Sequence, residues 1–240
     1  MIRLHVVDDL AAGRELVLPD AQARYLVQVM RRGTGDEVLA FNGRDGEWLA
    51  AIAETGRRGA RLTVLRQTRA QPAPGKLVLV MALVKRTPLE TVVAKAVELG
   101  VGEIRLVTTE RTNADHTRID RLEAIAAEAA EQTGRLDVPK VHAPEPLSQV
   151  LDAQPGGGRL IFCDEAGEAP PLLEALGDQA PGPLAVLIGP EGGFSSAERA
   201  GLRSRSGVIA VSLGPRILRA DTAALSALAL VQAALGDWRT

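Results

Sequence analysis

The stretch Leu184-Ala185-Val186-Leu187-Ile188-Gly189-Pro190-Glu191-Gly192-Gly193-Phe194 decides the fold. Its five uninterrupted apolar residues read as a strand. The strand runs straight into a glycine-rich loop, and Ser195 with Glu198 then forms a capping box that opens a helix. A strand, a glycine loop and a helix start together can cradle a ligand, because bare backbone N–H groups approach a bound molecule closely. A plain tight turn is the competing reading. The loop lacks the Gly-Lys-Ser/Thr of a P-loop and the GxGxxG of a dinucleotide fingerprint. The arrangement recurs at Val208–Leu213, followed by Gly214-Pro215-Arg216-Ile217-Leu218-Arg219-Ala220-Asp221-Thr222-Ala223. Here two arginines and a carboxylate precede a helix that is apolar almost all round, which requires burial in a core or a subunit interface. Two adjacent glycine loops with charge gathered at the second favour a ligand site over two unrelated turns.

Working outward, strands and helices alternate from Lys76 onward, which predicts a mostly parallel α/β sheet. Leu77–Val84 reads as an apolar strand. Thr87-Pro88-Leu89-Glu90 reads as a capping box, with Gly100 ending that helix. Ile104–Thr108 is a strand, and a helix near Thr117–Gln132 closes at Gly134. Leu160–Cys163 is a further strand. Gln71-Pro72-Ala73-Pro74-Gly75 is a stiff linker, so the expected division is 1–70, a linker at 71–76, and 77–240. Before the linker, Ile2–Val7, Glu15–Leu18, Glu37–Phe41, Glu47–Ala53 and Arg61–Arg66 read as short strands. Asn42-Gly43 and Asp45-Gly46 mark a hairpin. Pro19–Met30 carries helical spacing, with Gly33 and Gly35 ending it. These pieces fit a small β-barrel with an inserted helix.

Composition narrows the class. At 46% apolar and 24% charged, the 240 residues are those of a soluble globular protein. The single Cys163 excludes an internal disulfide framework, and the scattered His5, His116 and His142 give no metal-ligand spacing. No leader opens the chain and no run is long and apolar enough to span a bilayer, so a cytoplasmic protein without metal or membrane is expected. Residues 1–70 carry a net charge of +2 and the remainder −4, which permits a nucleic-acid partner on the N-terminal part. With six aromatic residues in the chain, a sheet that stacks several RNA bases on exposed rings is not expected.

Four segments resemble the bacterial 16S rRNA uridine-N3 methyltransferases of the SPOUT superfamily. They are Glu90–Val101, Glu131-Gln132-Thr133-Gly134-Arg135 with Val138-Pro139, Ile188–Phe194, and Leu213–Leu225. Val29-Met30-Arg31-Arg32 with Gly35-Asp36 is similar to the family's N-terminal signature. The chain departs from the family pattern at Ala220-Asp221, where Thr-Glu is frequent, and near Thr91-Val92, where an aromatic is frequent. The resemblance implies an α/β fold, with a SPOUT deep-trefoil-knot domain behind an N-terminal PUA-like β-barrel. It implies a homodimer that takes S-adenosylmethionine as methyl donor and acts on 16S rRNA or the small ribosomal subunit, at the uridine conventionally numbered 1498. The donor would lie against Leu187, Ile188, Gly189, Pro190, Glu191, Gly192 and Gly193 in one loop. In the other it would meet Ser212, Leu213, Gly214, Ile217, Leu218, Arg219, Thr222 and Ala223. The same fold acting on a ribose hydroxyl or a tRNA guanine, or a non-catalytic ribosome-assembly factor, are the rival readings.

Uracil N3 loses its proton only well above neutral pH, so the site needs a proton acceptor and a charge that stabilises the uridinate oxygens. Asp221 and Arg219 are the best-placed pair. Asp221 either accepts the proton or caps the last helix, and Glu191 either faces the donor or binds loop N–H groups. Lys85, Arg86, Arg111 and Arg135 sit at element ends or adjoining loops that suit phosphate contacts, with a solvated surface charge as the competing reading for each taken alone. Arg24, Arg31 and Arg32, with Arg3 nearby, form a basic helix end suited to positioning RNA.

Overall fold

A computed structural model describes residues 1–56, 59–114, 117–153, 158–166, 169–177 and 182–239, and His116 lies outside them. The chain forms two compact units: Met1–Pro74 with Ala127–Val138, and Gly75–Ala126 with Pro139–Thr240. The first thus includes twelve residues from beyond the linker, a segment placed by sequence with the C-terminal domain.

In the N-terminal unit, β1 (Arg3–His5), β2 (Glu15–Val17), β3 (Glu37–Phe41), β4 (Glu47–Gly56) and β5 (Gly59–Arg69) form one sheet in the order β1-β3-β4-β5-β2. β1 runs parallel to β3, and the other pairs are antiparallel. The β3–β4 hairpin falls where the Asn-Gly and Asp-Gly signals place it. Asn42 Oδ1 accepts the backbone N–H groups of Arg44 and Asp45 at 3.0 and 2.9 Å, closing the turn. Alternate strand positions such as Leu4, Val38, Ala40, Ile52, Leu62 and Val64 fill a core, with Tyr25 and Trp48 packed against it.

The inserted helix differs from its sequence reading. α1 (Asp20–Arg24) widens into a π-helical turn over Tyr25–Val29, and the helix ends at Met30. Arg31, at φ 52°, makes the left-handed turn expected of a glycine. Gly33 instead belongs to a separate turn, where its N–H donates to Asp36 Oδ2 at 2.9 Å.

Arg3, expected among the RNA contacts, is engaged within the protein. Its guanidinium is buried, donates to Glu47 Oε2 at 3.0 Å, and binds the carbonyls of Ala130, Glu131 and Arg135 at 2.8–3.1 Å. It therefore caps the C-terminus of α3 (Ile119–Thr133), where orphan carbonyls need donors. Arg135 is likewise engaged, pairing with Asp137 at 2.7 Å in a mostly buried setting. Arg3→Met should destabilise the N-terminal unit by about 3 kcal/mol, since it leaves Glu47 buried without its closest guanidinium. Urea unfolding followed by Trp48 fluorescence in a Trp238→Phe background checks this.

In the C-terminal unit, β6 (Leu77–Ala82), β7 (Val101–Thr108), β8 (Lys140–Pro146), β9 (Arg159–Cys163), β10 (Leu184–Ile188) and β11 (Val208–Val211) form a fully parallel sheet. Its order is β11-β9-β10-β6-β7-β8. α2 (Arg86–Glu98), α4 (Leu147–Asp152), α5 (Leu172–Leu176), α6 (Ser196–Ser204) and α7 (Ala220–Leu235) complete it. β10 has the bounds its apolar run indicates and is buried throughout. α2 starts earlier than its sequence reading: Lys85, not Thr87, is the N-cap and makes no side-chain cap bond. Pro88 is tolerated there because first-turn N–H groups have no helical partner. α7 is buried along Ala224, Ala227, Leu228 and Val231 and packs on α2, α5 and β10, while Leu225, Ala229 and Leu230 stay half-exposed.

Candidate methyl-donor and RNA site

Three loops leave the C-terminal ends of the adjacent strands β9, β10 and β11. In open α/β sheets this edge is where ligands bind. The β10 loop is held at its far end by the capping box of α6. Ser195 Oγ accepts the Glu198 N–H at 3.2 Å, and Glu198 Oε2 accepts the Ser195 N–H at 2.9 Å. The other oxygen of Glu198 accepts the Glu110 N–H at 2.8 Å, so one carboxylate ties two loops together. Phe194 is fully buried, edge-on to Phe162 at 5.1 Å. A Cβ at Gly189 would lie 2.7 Å from the Phe194 ring, so this glycine is required by packing inside the loop.

The loops enclose a cleft of about 470 Å³ lined in part by Ile188, Gly189, Pro190, Glu191, Gly193, Ile217, Leu218, Arg219, Asp221 and Ala223. A smaller hollow of about 60 Å³ beside it is lined in part by Ser212, Leu213 and Gly214. The structure thus brings together most of the residues read from the two loops. It does not bring in Leu187, which is buried in the strand core, Gly192, which backs onto Arg111, or Thr222.

Arg219 is exposed, and among the described residues its side chain makes no hydrogen bond or ion pair. It is the N-cap of α7, in extended conformation and without a side-chain cap bond. Asp221 is therefore not the cap; it lies in the first turn, where its Oδ1 accepts the adjoining Thr222 N–H at 2.8 Å. Glu191 Oε1 is 3.5 Å from the Lys85 N–H, at the N-terminal end of α2, where the helix dipole favours a carboxylate.

Sequence reasoning missed several lining residues. Lys85, read as a phosphate contact, lines the cleft. Cys163 also lines it, and burial pushes its thiol up to about 12, so it remains an uncharged wall. Glu165, in the β9 loop, had no motif to mark it; its signal is a carboxylate pair directly after a buried strand, facing Arg199 and Arg203 one helical turn apart.

The remaining arginines expected to contact RNA, apart from Arg3 and Arg135, are on the surface. Arg31 and Arg32 are exposed with no side-chain partner among the described residues. Arg24 donates to the Asp20 carbonyl, Arg86 pairs with Glu90, and Arg111 donates to the Gly192 carbonyl at 3.2 Å. Among the described residues, no helix is long and apolar enough to cross a membrane, and no cluster of three metal-ligating side chains occurs.

Residues 71–232 match the RNA methyltransferase domain family, and residues 18–65 match the RNA methyltransferase PUA domain family. Fold and sequence therefore place the chain among RNA methyltransferases that carry a PUA domain. A ribosomal RNA small subunit methyltransferase E from Synechocystis is 33% identical over 97% of this chain and 78% of its own length. The Mycobacterium bovis enzyme of that name is 30% identical over 98% and 93%. A Neisseria gonorrhoeae ribosomal RNA small subunit methyltransferase E solved with S-adenosylmethionine superposes with a TM-score of 0.86. It is 29% identical over 99% of both chains. A Legionella pneumophila methyltransferase with bound S-adenosylmethionine gives the same score at 30% identity over 98% of both chains. The chain belongs to the ribosomal RNA small subunit methyltransferase E family.

Proposed function

We propose that this protein methylates N3 of a uridine in 16S rRNA, at the position conventionally numbered 1498, with S-adenosylmethionine as donor, as a cytoplasmic homodimer. The observation that carries the reading is Arg219, a guanidinium with no hydrogen bond or ion pair among the described residues, on the rim of a glycine-loop cleft, two residues from Asp221. The cleft fits the donor, since its volume lies in the range of small-molecule sites and Gly193 presents bare backbone to it. When bound, S-adenosylmethionine supplies an electrophilic methyl group on a sulfonium. Arg219 stabilises negative charge on the uracil oxygens, and Asp221 is the nearest carboxylate in sequence to receive the N3 proton. The half-exposed apolar face of α7 is suited to a second copy of the chain. We read the loops after β10 and β11 as the threaded loops of a trefoil knot, and the N-terminal sheet as a PUA-like barrel.

Mapping 16S rRNA methylation by mass spectrometry, with and without the gene, tests this reading. Loss of a single uridine N3-methyl supports it; loss of a ribose methyl, or of none, overturns it.

Arg31 and Arg32 give the RNA side its own test. Arg31→Glu with Arg32→Glu should weaken rRNA binding and make the slope of log affinity against log salt shallower by about 1 to 2. Donor affinity should stay at its wild-type value, because the donor cleft is built from the other unit. Filter binding across a salt series checks the first effect and calorimetry the second.

A further inference from the structure

The β9 loop and α6 together hold four charges that the proposed mechanism does not use: Asp164 and Glu165 on the loop, Arg199 and Arg203 on the helix. Asp164 follows the last residue of β9, and its side chain is wholly inaccessible to solvent. It accepts from Arg199 Nε at 2.9 Å and from Arg203 at 2.9 and 2.7 Å, while its Oδ1 also takes the Ala166 N–H at 3.1 Å. A carboxylate so saturated fixes the turn that follows it, since a buried charge is tolerated only when fully paired. The turn delivers Glu165 to the cleft. There Glu165 Oε1 accepts from Arg199 Nη2 at 2.6 Å and from the Phe194 N–H at 3.2 Å. Oε2 has no hydrogen bond among the described residues, and Glu165 borders both the main cleft and the smaller hollow.

We infer that Glu165 is a donor-site residue whose Oε2 accepts a hydrogen bond from a ribose hydroxyl of the donor's adenosyl group, with Arg199 and Asp164 as its positioning residues. The inference rests on the donor reading of the cleft. Charge balance selects a hydroxyl over the donor's ammonium group. Two carboxylates face two guanidinia, so the quartet is formally neutral and offers a cation little net attraction. A neutral O–H meeting an ionised oxygen still gains a charge-assisted bond. Arg199 holds the carboxylate in place by occupying Oε1, which leaves one oxygen pre-aimed and needing no reorganisation on binding.

Calorimetric titration of wild type and Glu165→Gln with S-adenosylhomocysteine, its 2′,3′-dideoxy analogue and 5′-methylthioadenosine tests the inference without relying on turnover. Wild type should bind the dideoxy compound about ten- to hundredfold more weakly than the parent, the range of one charge-assisted hydrogen bond. Glu165→Gln should bind the parent more weakly by a similar factor and discriminate little between the two. It should also lose affinity for methylthioadenosine, which lacks the amino-acid half. A variant that keeps the wild-type discrimination overturns the inference, because Glu165 then acts only by holding the Phe194 loop. A loss confined to the compound carrying the ammonium overturns it in favour of that group. A wild-type protein indifferent to the missing hydroxyls overturns it whether or not the variant folds. No binding of any of the three compounds removes the donor reading itself, and the inference with it.

Discussion

Arg219→Ala will leave donor affinity near wild type and lower turnover by about a hundredfold or more, the scale of losing one preorganised group that meets developing charge. The structure separates this effect from stability: the guanidinium is exposed, and its removal breaks no hydrogen bond or ion pair among the described residues. Arg219→Lys should rescue little if two hydrogen bonds are made at once, since an ammonium is a point donor without the planar fork. Asp221→Asn supplies the contrast. Asp221 is not the cap of α7, and asparagine retains an oxygen for the Thr222 N–H, so the substitution chiefly removes a base. A smaller loss is expected, partly recovered as rising pH ionises more uridine. Single-turnover rates of these variants across pH decide between the two groups. A fully active Arg219→Ala enzyme removes the assignment.

The features that were legible in the sequence are those whose causes are local. The unbroken apolar run of β10, the Ser195–Glu198 box and the Asn42–Gly46 hairpin each carry their physics within a few residues, and each is found in place. The helix from Pro19 was harder. Its end depends on Arg31 accepting a left-handed conformation, whereas the sequence signals for that end are Gly33 and Gly35. β8 is hidden by Pro144 and Pro146, and α4 and α5 are single short turns that each follow a proline. Arg3 is a different case: its carboxylate partner lies 44 residues away and its carbonyl acceptors 127 to 132, and no spacing rule reports such distances. The same applies to Glu165, whose guanidinium partner is 34 residues distant on α6. Two of the site's three loops announced themselves through glycine. The third was silent because its geometry is imposed by ion pairs.

Gly193→Val should weaken binding of S-adenosylhomocysteine by about a hundredfold or more, while Gly192→Ala should change it little. The two neighbours differ in backbone and in surroundings. Gly193 lies at φ 65°, where a β-branched residue is a genuine outlier and the strain alone costs about 1–3 kcal/mol. A Cβ there runs into the Glu165 carboxylate, so the side chain must displace the group that receives the Phe194 N–H. Gly192 has no such constraint on φ, and its Cβ would meet Arg111 at 3.3 Å, the stem of an exposed side chain on one side and backbone on the other. Gly193→Ala divides the two causes. It keeps the collision with Glu165 but lowers the backbone strain, so an affinity close to that of Gly193→Val identifies the collision as dominant. Pairing it with Glu165→Ala, which removes the obstructing carboxylate, should then give less than the sum of the separate losses. Circular dichroism must show both variants folded, and calorimetry supplies the affinities. Wild-type affinity in Gly193→Val would mean that the β10 loop does not contact the donor.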